Sequence, residues 1–407
     1  MTTQTKSRLT RRQFLKAAGL TAGATAASPL LSACGPAAPA GPVKIGVLLP
    51  YSAVYAELGN SIEKGMRMYL EEKNSEAGGR KIELITEDEG ATPDEATPKA
   101  KKLVEQDEVD LVTGIVSSGV LGALRDYFDQ NKKLLICSNA GANQLSRQAK
   151  TPYIWRTSFT NWQPNWPVGP WAAENVGKRV FVSVPDYAAG HNMRDAFLNS
   201  FQAAGGEAVG LQLTPFPNIG DPAPYITEIA NAEADFLYCF YSGGQAVTFL
   251  KAYGDFGLAG QLPLLSAGFM VEEDVLPAHG DYALGVRSGL HWALYLDNPE
   301  NKTFSPTYQA KYDRTPDVFA VQGYDTGRVI VEMLNQTQGD TNVDKMIDVL
   351  GGISFASPRG PFTLDTATQN PKHHIYLRDV QTVDGAPHNV VLADLGEVVD
   401  PGDDSKG

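Results

Sequence analysis

Cysteine is almost absent from this 407-residue chain: there are three, Cys34, Cys137 and Cys239. Three thiols cannot build a disulfide framework or a four-thiolate zinc site. Cys137 and Cys239 fall on expected strands and read as buried apolar residues. The six histidines are scattered, and the adjacent pair His373-His374 lies on an expected strand, so its rings point to opposite faces. No His-Glu-x-x-His, Cys-x-x-Cys, Gly-x-Ser-x-Gly or phosphate-loop pattern occurs. That removes the usual metallohydrolase, serine-hydrolase and nucleotide signatures, and no metal or cofactor is expected. Positive charge is also short, at 34 Lys+Arg against 47 Asp+Glu. Five of those bases (Lys6, Arg8, Arg11, Arg12, Lys16) and no acid stand in residues 1–33, which leaves −18 for the rest. Such a surface repels a phosphate backbone, so nucleic acid is excluded as a partner. Beyond the N-terminus no run of about 18 strongly apolar residues exists, so the body is not expected to span a membrane.

The N-terminus is distinctive. Arg11-Arg12-Gln13-Phe14-Leu15-Lys16 precedes a mild apolar run that ends at Leu31-Ser32-Ala33-Cys34. A basic segment, a short apolar segment and small residues before a break form a bacterial export signal. The paired arginines look like the twin-arginine motif, and Leu-Ser-Ala-Cys resembles a lipobox. Residues 1–33 therefore read as a twin-arginine-type lipoprotein signal peptide. Cys34 reads as the lipidated first mature residue, and 34–42, rich in Pro, Ala and Gly, as a tether. The expected location is outside the cytoplasmic membrane, held to its outer face by lipid.

The body is 43% apolar across the whole chain, enough for a sizeable core, and it alternates strands with helices. Strands are expected at 43–49, 81–87, 111–116, 134–137, 180–184, 208–213, 236–240, 262–266 and 286–291. Helices are expected at 56–73, 93–105, 119–131, 191–204, 224–232 and 246–253, with Pro98 marking a first turn. Later, 305–313 and 323–334 read as helices, and 361–364 with 374–378 as a hairpin. This alternation means parallel α/β sheets. Seven or more such units overfill one core, so two sheets lie side by side.

In open α/β sheets ligands bind beyond the carboxyl ends of the strands. The loops there are Pro50–Tyr55, with Tyr51, Ser52 and Tyr55; Ser117-Ser118-Gly119; Ser138–Asn143, with Asn139, Ala140 and Gly141; Pro185–Gly190, with Tyr187; Tyr241–Gln245, with Ser242; and Ser266–Met270, with Gly268 and Phe269. Most pair a small or hydroxyl residue with an aromatic. Small residues let backbone N–H groups approach a ligand, a helix N-terminus favours an anion, and aromatics give a flat apolar wall. That composition suits a small, partly apolar carboxylate. Turn chemistry alone also enriches Gly, Ser and Asn in loops. Trp162 either walls the cleft or packs a helix.

The lipoprotein-type start joins Ile45-Gly46-Val47-Leu48-Leu49, Gly59 through Gly65-Met66, Ser117-Ser118, Ser138-Asn139-Ala140-Gly141 and Gln322-Gly323-Tyr324-Asp325. In that order, over roughly 43–380, they resemble the solute-binding proteins of ABC importers. The branched-chain amino acid type, with the type I periplasmic-binding-protein fold, is the most similar. The resemblance implies two Rossmann-like lobes, 43–158 with 290–358 and 159–289 with 359–398, joined by a three-segment hinge and followed by a tail, 399–407. It implies a non-enzymatic monomer that closes on a ligand and delivers it to membrane permease subunits. By the same resemblance, Ser117, Ser118, Asn139, Ala140 and Gly141 hold the ligand carboxylate, and Tyr187, Gly268 and Phe269 contact it from the second lobe. One departure bears on the ligand. Amino-acid binders of this family place an acid after the strand ending here at Ser266, but Ala267–Met270 has none. An ammonium without a partner is costly to bury, so an aromatic or apolar acid is expected, with a hydrophobic amino acid paired to Asp186 as the alternative. A ligand-presenting sensory receptor shares the same binding step. A secreted hydrolase, using Asp186 and Ser117, has no histidine in a strand-end loop to serve it.

Overall fold

The computed structural model describes residues 41–403; the expected signal peptide, Cys34 and most of the expected tether lie outside the described residues. The first sheet runs Glu76–Ala77 (β2), Arg80–Asp88 (β3), Val43–Leu49 (β1), Leu111–Gly114 (β4), Leu135–Cys137 (β5) and Ile154–Arg156 (β6) in spatial order. All its pairings are parallel except β2 with β3. β1 is apolar on both faces, with Val43, Ile45, Val47, Leu48 and Leu49 all buried, as a strand covered by helices on both sides must be.

The second sheet orders Glu207–Thr214 (β8), Arg179–Pro185 (β7), Phe236–Cys239 (β9), Leu264–Ala267 (β10) and Arg287–Leu290 (β11) as a parallel set. Asn370–Val383 (β14) joins β11 antiparallel and carries the path on to Gly360–Asp365 (β13) and Ser354–Ser357 (β12); Ala386–Val398 (β15) pairs with β14. The chain passes between the lobes three times: after β6, after β11 and before β12. The expected fold class, two parallel α/β lobes with a three-segment hinge, is what forms.

Polar side chains tie the crossings together. Arg359 is fully buried; it pairs with Asp325 at 2.7 Å and donates to Ser158 O at 3.0 Å. Thr157 and Thr326 share a 2.6 Å hydroxyl contact. Helices Ala56–Glu72 and Val318–Gln336 cross at very short range. A Cβ on Gly65 would collide with the Ala320 carbonyl, and one on Gly323 with the Ile62 carbonyl. Glycine at both positions is thus a packing requirement.

Several expected boundaries move. The second helix starts at Pro93: Glu95 accepts from Thr92 N at 3.0 Å and from Thr92 Oγ1 at 2.9 Å, so this cap sets the start and Pro98 lies inside. The helix expected at 305–313 begins at Pro299, because Asn298 Oδ1 accepts from Asn301 N at 2.8 Å. The helix expected at 323–334 begins at Val318, with Asp317 accepting from Ala320 N at 2.8 Å. The late hairpin is real, but its second strand runs far past Leu377. It turns at Asp384 (φ 52°) and Gly385 (φ 86°) into β15.

Candidate functional site

Seven rings form a continuous series at the strand ends. The Tyr55 ring lies 5.9 Å from Phe216, which stacks on Tyr187 at 4.1 Å. Tyr187 faces Phe240 at 6.3 Å, and Phe240 meets Phe269 edge-on at 6.3 Å. Phe269 then contacts Phe159 at 4.9 Å and Phe319 at 6.0 Å. Tyr55 and Phe319 belong to the first lobe, Phe159 to the first crossing, and the other four to the second lobe. All seven are buried or half-buried. At one end the Tyr55 and Tyr187 hydroxyls meet at 2.8 Å, with Ser242 also bonded to Tyr55.

A polar wall borders the rings. Asn161 Nδ2 donates to Ser118 Oγ at 3.2 Å and to Asn192 Oδ1 at 3.4 Å. Asn192 also accepts from Asn143 N at 3.1 Å, so helix Ala188–Ala203 of the second lobe touches the first lobe here. Asn139 donates to Gln322 Oε1 at 2.6 Å, and Gln322 Nε2 lies 3.2 Å from His291 Nε2. A Cβ on Gly141 would stand 2.6 Å from Phe159 Cε2 and 2.9 Å from Asn161 N, so only glycine lets that loop lie against the ring. The lobes also meet where Gly243 (φ 55°) abuts the Val54 carbonyl.

Of the sequence-predicted residues, Tyr55, Ser118, Gly141, Tyr187, Ser242 and Phe269 come together, with Ser117 and Asn139 at the margin. The others are placed elsewhere. Tyr51 donates its N–H to Asp88 at 2.9 Å and turns its phenol to Glu63 and Arg67. Ser52 is exposed beside Asp88. Ala140 packs in the first-lobe core with Val120 and Leu124. Gly268 lies against Leu290 and accepts at its carbonyl from Arg378 Nη2 at 2.8 Å. Trp162 stacks on Trp166 at 5.1 Å and packs with Ala196, Ile375 and Val398, apart from the seven rings. Phe159, Phe216, Phe240, Phe319 and Asn161 were not expected. Phe240 was the most accessible to sequence reasoning, since it stands at a strand's carboxyl end.

The acids are equally informative. Glu272, just past the Phe269 loop, is fully buried, pairs with Arg378 at 2.6 Å and accepts from Val318 N at 2.7 Å. Asp186 is exposed and bonded to His191 Nε2 at 2.8 Å, on the helix that follows it. Neither offers a free carboxylate to the ring series. Cys137 and Cys239 are buried free thiols, and burial pushes Cys137 up to about 12, so it is unreactive. His373 is buried, while His374 reaches out to Asp394 at 2.7 Å. Among the described residues no helix is long and apolar enough to cross a membrane, and no three His, Cys, Asp or Glu are grouped to hold a metal ion.

Two parallel α/β lobes whose strand-end loops meet over a series of aromatic rings define a two-lobed ligand-capturing protein. The chain belongs to the periplasmic binding protein family, whose pattern matches residues 42–386, and it is a substrate-binding protein of the ABC-transporter type. It is 30% identical over 385 residues, 93% of this chain and 98% of the relative, to Leu/Ile/Val-binding protein homolog 6 of Brucella melitensis. Among solved structures it resembles a solute-binding protein of an ABC transporter from R. palustris in complex with benzoate: TM-score 0.84, 35% identity, covering 89% of this chain and 99% of that one. A second, from Rhodopseudomonas palustris BisB5 in complex with 3,4-dihydroxybenzoic acid, has TM-score 0.84, 32% identity and coverage of 88% and 98%.

Proposed function

We propose that this protein captures a small aromatic carboxylate between its lobes and delivers it to an ABC permease. The observation that carries this reading is the seven-ring series, contributed by both lobes, with Glu272 and Asp186 paired elsewhere. A flat ring between such side chains gains area burial, and aromatic pairs add about 0.5–1.5 kcal/mol beyond it. The ligands named for the two structural neighbours, benzoate and 3,4-dihydroxybenzoic acid, agree with it. The Ser118 hydroxyl, held by the Asn161 amide, supplies a polar partner for the carboxylate, and the Tyr55–Tyr187–Ser242 hydroxyls a second polar end. A branched-chain or other hydrophobic amino acid is the second reading, favoured by the name of the Brucella relative.

Capture works by a hinge: the ligand makes its contacts with both lobes only in the closed form and so shifts the open–closed equilibrium. Solution scattering at saturating benzoate should therefore show a smaller radius of gyration than without it; an unchanged radius contradicts the hinge. The protein acts as a monomer, lipid-anchored through Cys34 on the outer face of the cytoplasmic membrane. The mature N-terminal peptide should begin at an acylated Cys34 in mass spectrometry. An unmodified peptide running through Ala33-Cys34-Gly35 in mature protein contradicts the anchor.

A further inference from the structure

Glu89 follows β3 and is fully buried. One carboxyl oxygen accepts from Val116 N at 2.8 Å and the other from Ser117 N at 2.8 Å. These two N–H groups lead into helix Ser118–Gln130. A side chain of the protein thus already fills part of the donor set expected for the ligand. Among the described residues no cation compensates it. The charged group that bears on Glu89 is Asp88, which repels it, and Tyr55 and Cys137, which feel its field, stay neutral through burial. Burial without a cation favours the protonated carboxyl and pushes Glu89 up to about 8 despite its two backbone bonds.

Resting on the aromatic-acid reading above, we propose that Glu89 is a specificity-determining residue that fixes where the ligand anion sits and couples its binding to one proton. Because Glu89 occupies Val116 N and Ser117 N, the carboxylate is bound one step further on, by the Ser118 hydroxyl, which Asn161 Nδ2 holds in place. Two negative charges cannot share this buried helix terminus, so the bound anion requires a neutral Glu89. The proton comes from the buffer and stays on the Glu89 carboxyl. Below about pH 7 Glu89 is already neutral and aryl-carboxylate affinity is flat. Above about pH 8 binding must protonate Glu89, and affinity falls towards tenfold per pH unit. A ligand ammonium at the same place would do the opposite and release a proton from Glu89.

The test is calorimetry of benzoate with the full chain at pH 8.5, in two buffers of different ionisation enthalpy, with affinities at pH 7 and 9.5. The expected result is uptake of more than about half a proton and a roughly tenfold or larger loss of affinity at the higher pH. Glu89→Gln should show neither effect. Should that variant fail to fold, the carbon-13 carboxyl resonance of Glu89 in the unaltered protein serves instead, with titration near 8 expected. Tight binding without proton exchange, proton release on binding, or titration of Glu89 near 4.5 overturns the proposal while leaving the aromatic-acid reading standing. No binding of benzoate or its hydroxylated analogues at any pH overturns that reading, and this proposal with it.

Discussion

Phe269→Ala should weaken benzoate binding about 30-fold or more, the roughly 2 kcal/mol or greater loss typical of a central buried aromatic anchor. Phe269 touches three other rings, Phe159, Phe240 and Phe319, and so links the second lobe's rings to those of the first lobe and the crossing. Its removal also opens a cavity, at a stability cost of about 3–5 kcal/mol. Affinity should therefore be measured by calorimetry at a temperature where the melting curve shows the variant folded. Trp162→Ala is the matched control. Its indole is also aromatic and buried, but it packs against Trp166, Ile375 and Val398. It should lose stability and keep its affinity within a few-fold. If both variants lose affinity equally, the ring series is not the site.

A stability loss of similar size, with no aromatic lost from the ring series, is expected at Arg378→Met. The guanidinium is fully buried, pairs with Glu272 at 2.6 Å and donates to the carbonyls of Trp292 at 3.0 Å and Gly268 at 2.8 Å. Removing one partner of a buried pair leaves the other charge uncompensated, which costs about 3–5 kcal/mol. Adding Glu272→Gln should recover part of that loss, since the stranded charge is gone and a carbonyl can still accept from Val318 N. Denaturant unfolding of both variants measures this directly. A loss below about 1 kcal/mol in the single variant contradicts the account of the pair.

Most strands of the first sheet and of the parallel part of the second were readable because a strand covered on both faces leaves a mostly apolar run, as at Val43–Leu49, while β3 showed as alternation. β6 was not: its three residues, Ile154–Arg156, end on an arginine and make no apolar run. β15 alternates weakly because much of it is half-exposed, although Asp384-Gly385 is a strong hairpin turn signal that could have located it. Helix starts were lost where a cap lies outside the apolar pattern, as at Asp317 and Asn298. The site was readable loop by loop but not in direction: a residue after a strand can face the cleft, as Tyr55 does, or a neighbouring helix, as Tyr51 does. Phe159 and Phe319 escaped because they reach the site from a crossing and from a helix N-terminus. Glu89 escaped because an acid after a strand gives no sign that it will be buried beside two backbone N–H groups.

The most direct measurement is a calorimetric titration of the unaltered protein at pH 7 with benzoate, 4-hydroxybenzoate and leucine. The ring series and the pairing of Glu272 and Asp186 elsewhere predict that at least one aryl carboxylate binds with micromolar or tighter affinity, and leucine at least a hundredfold more weakly. Tight leucine binding with no detectable heat from either aryl acid would contradict the account.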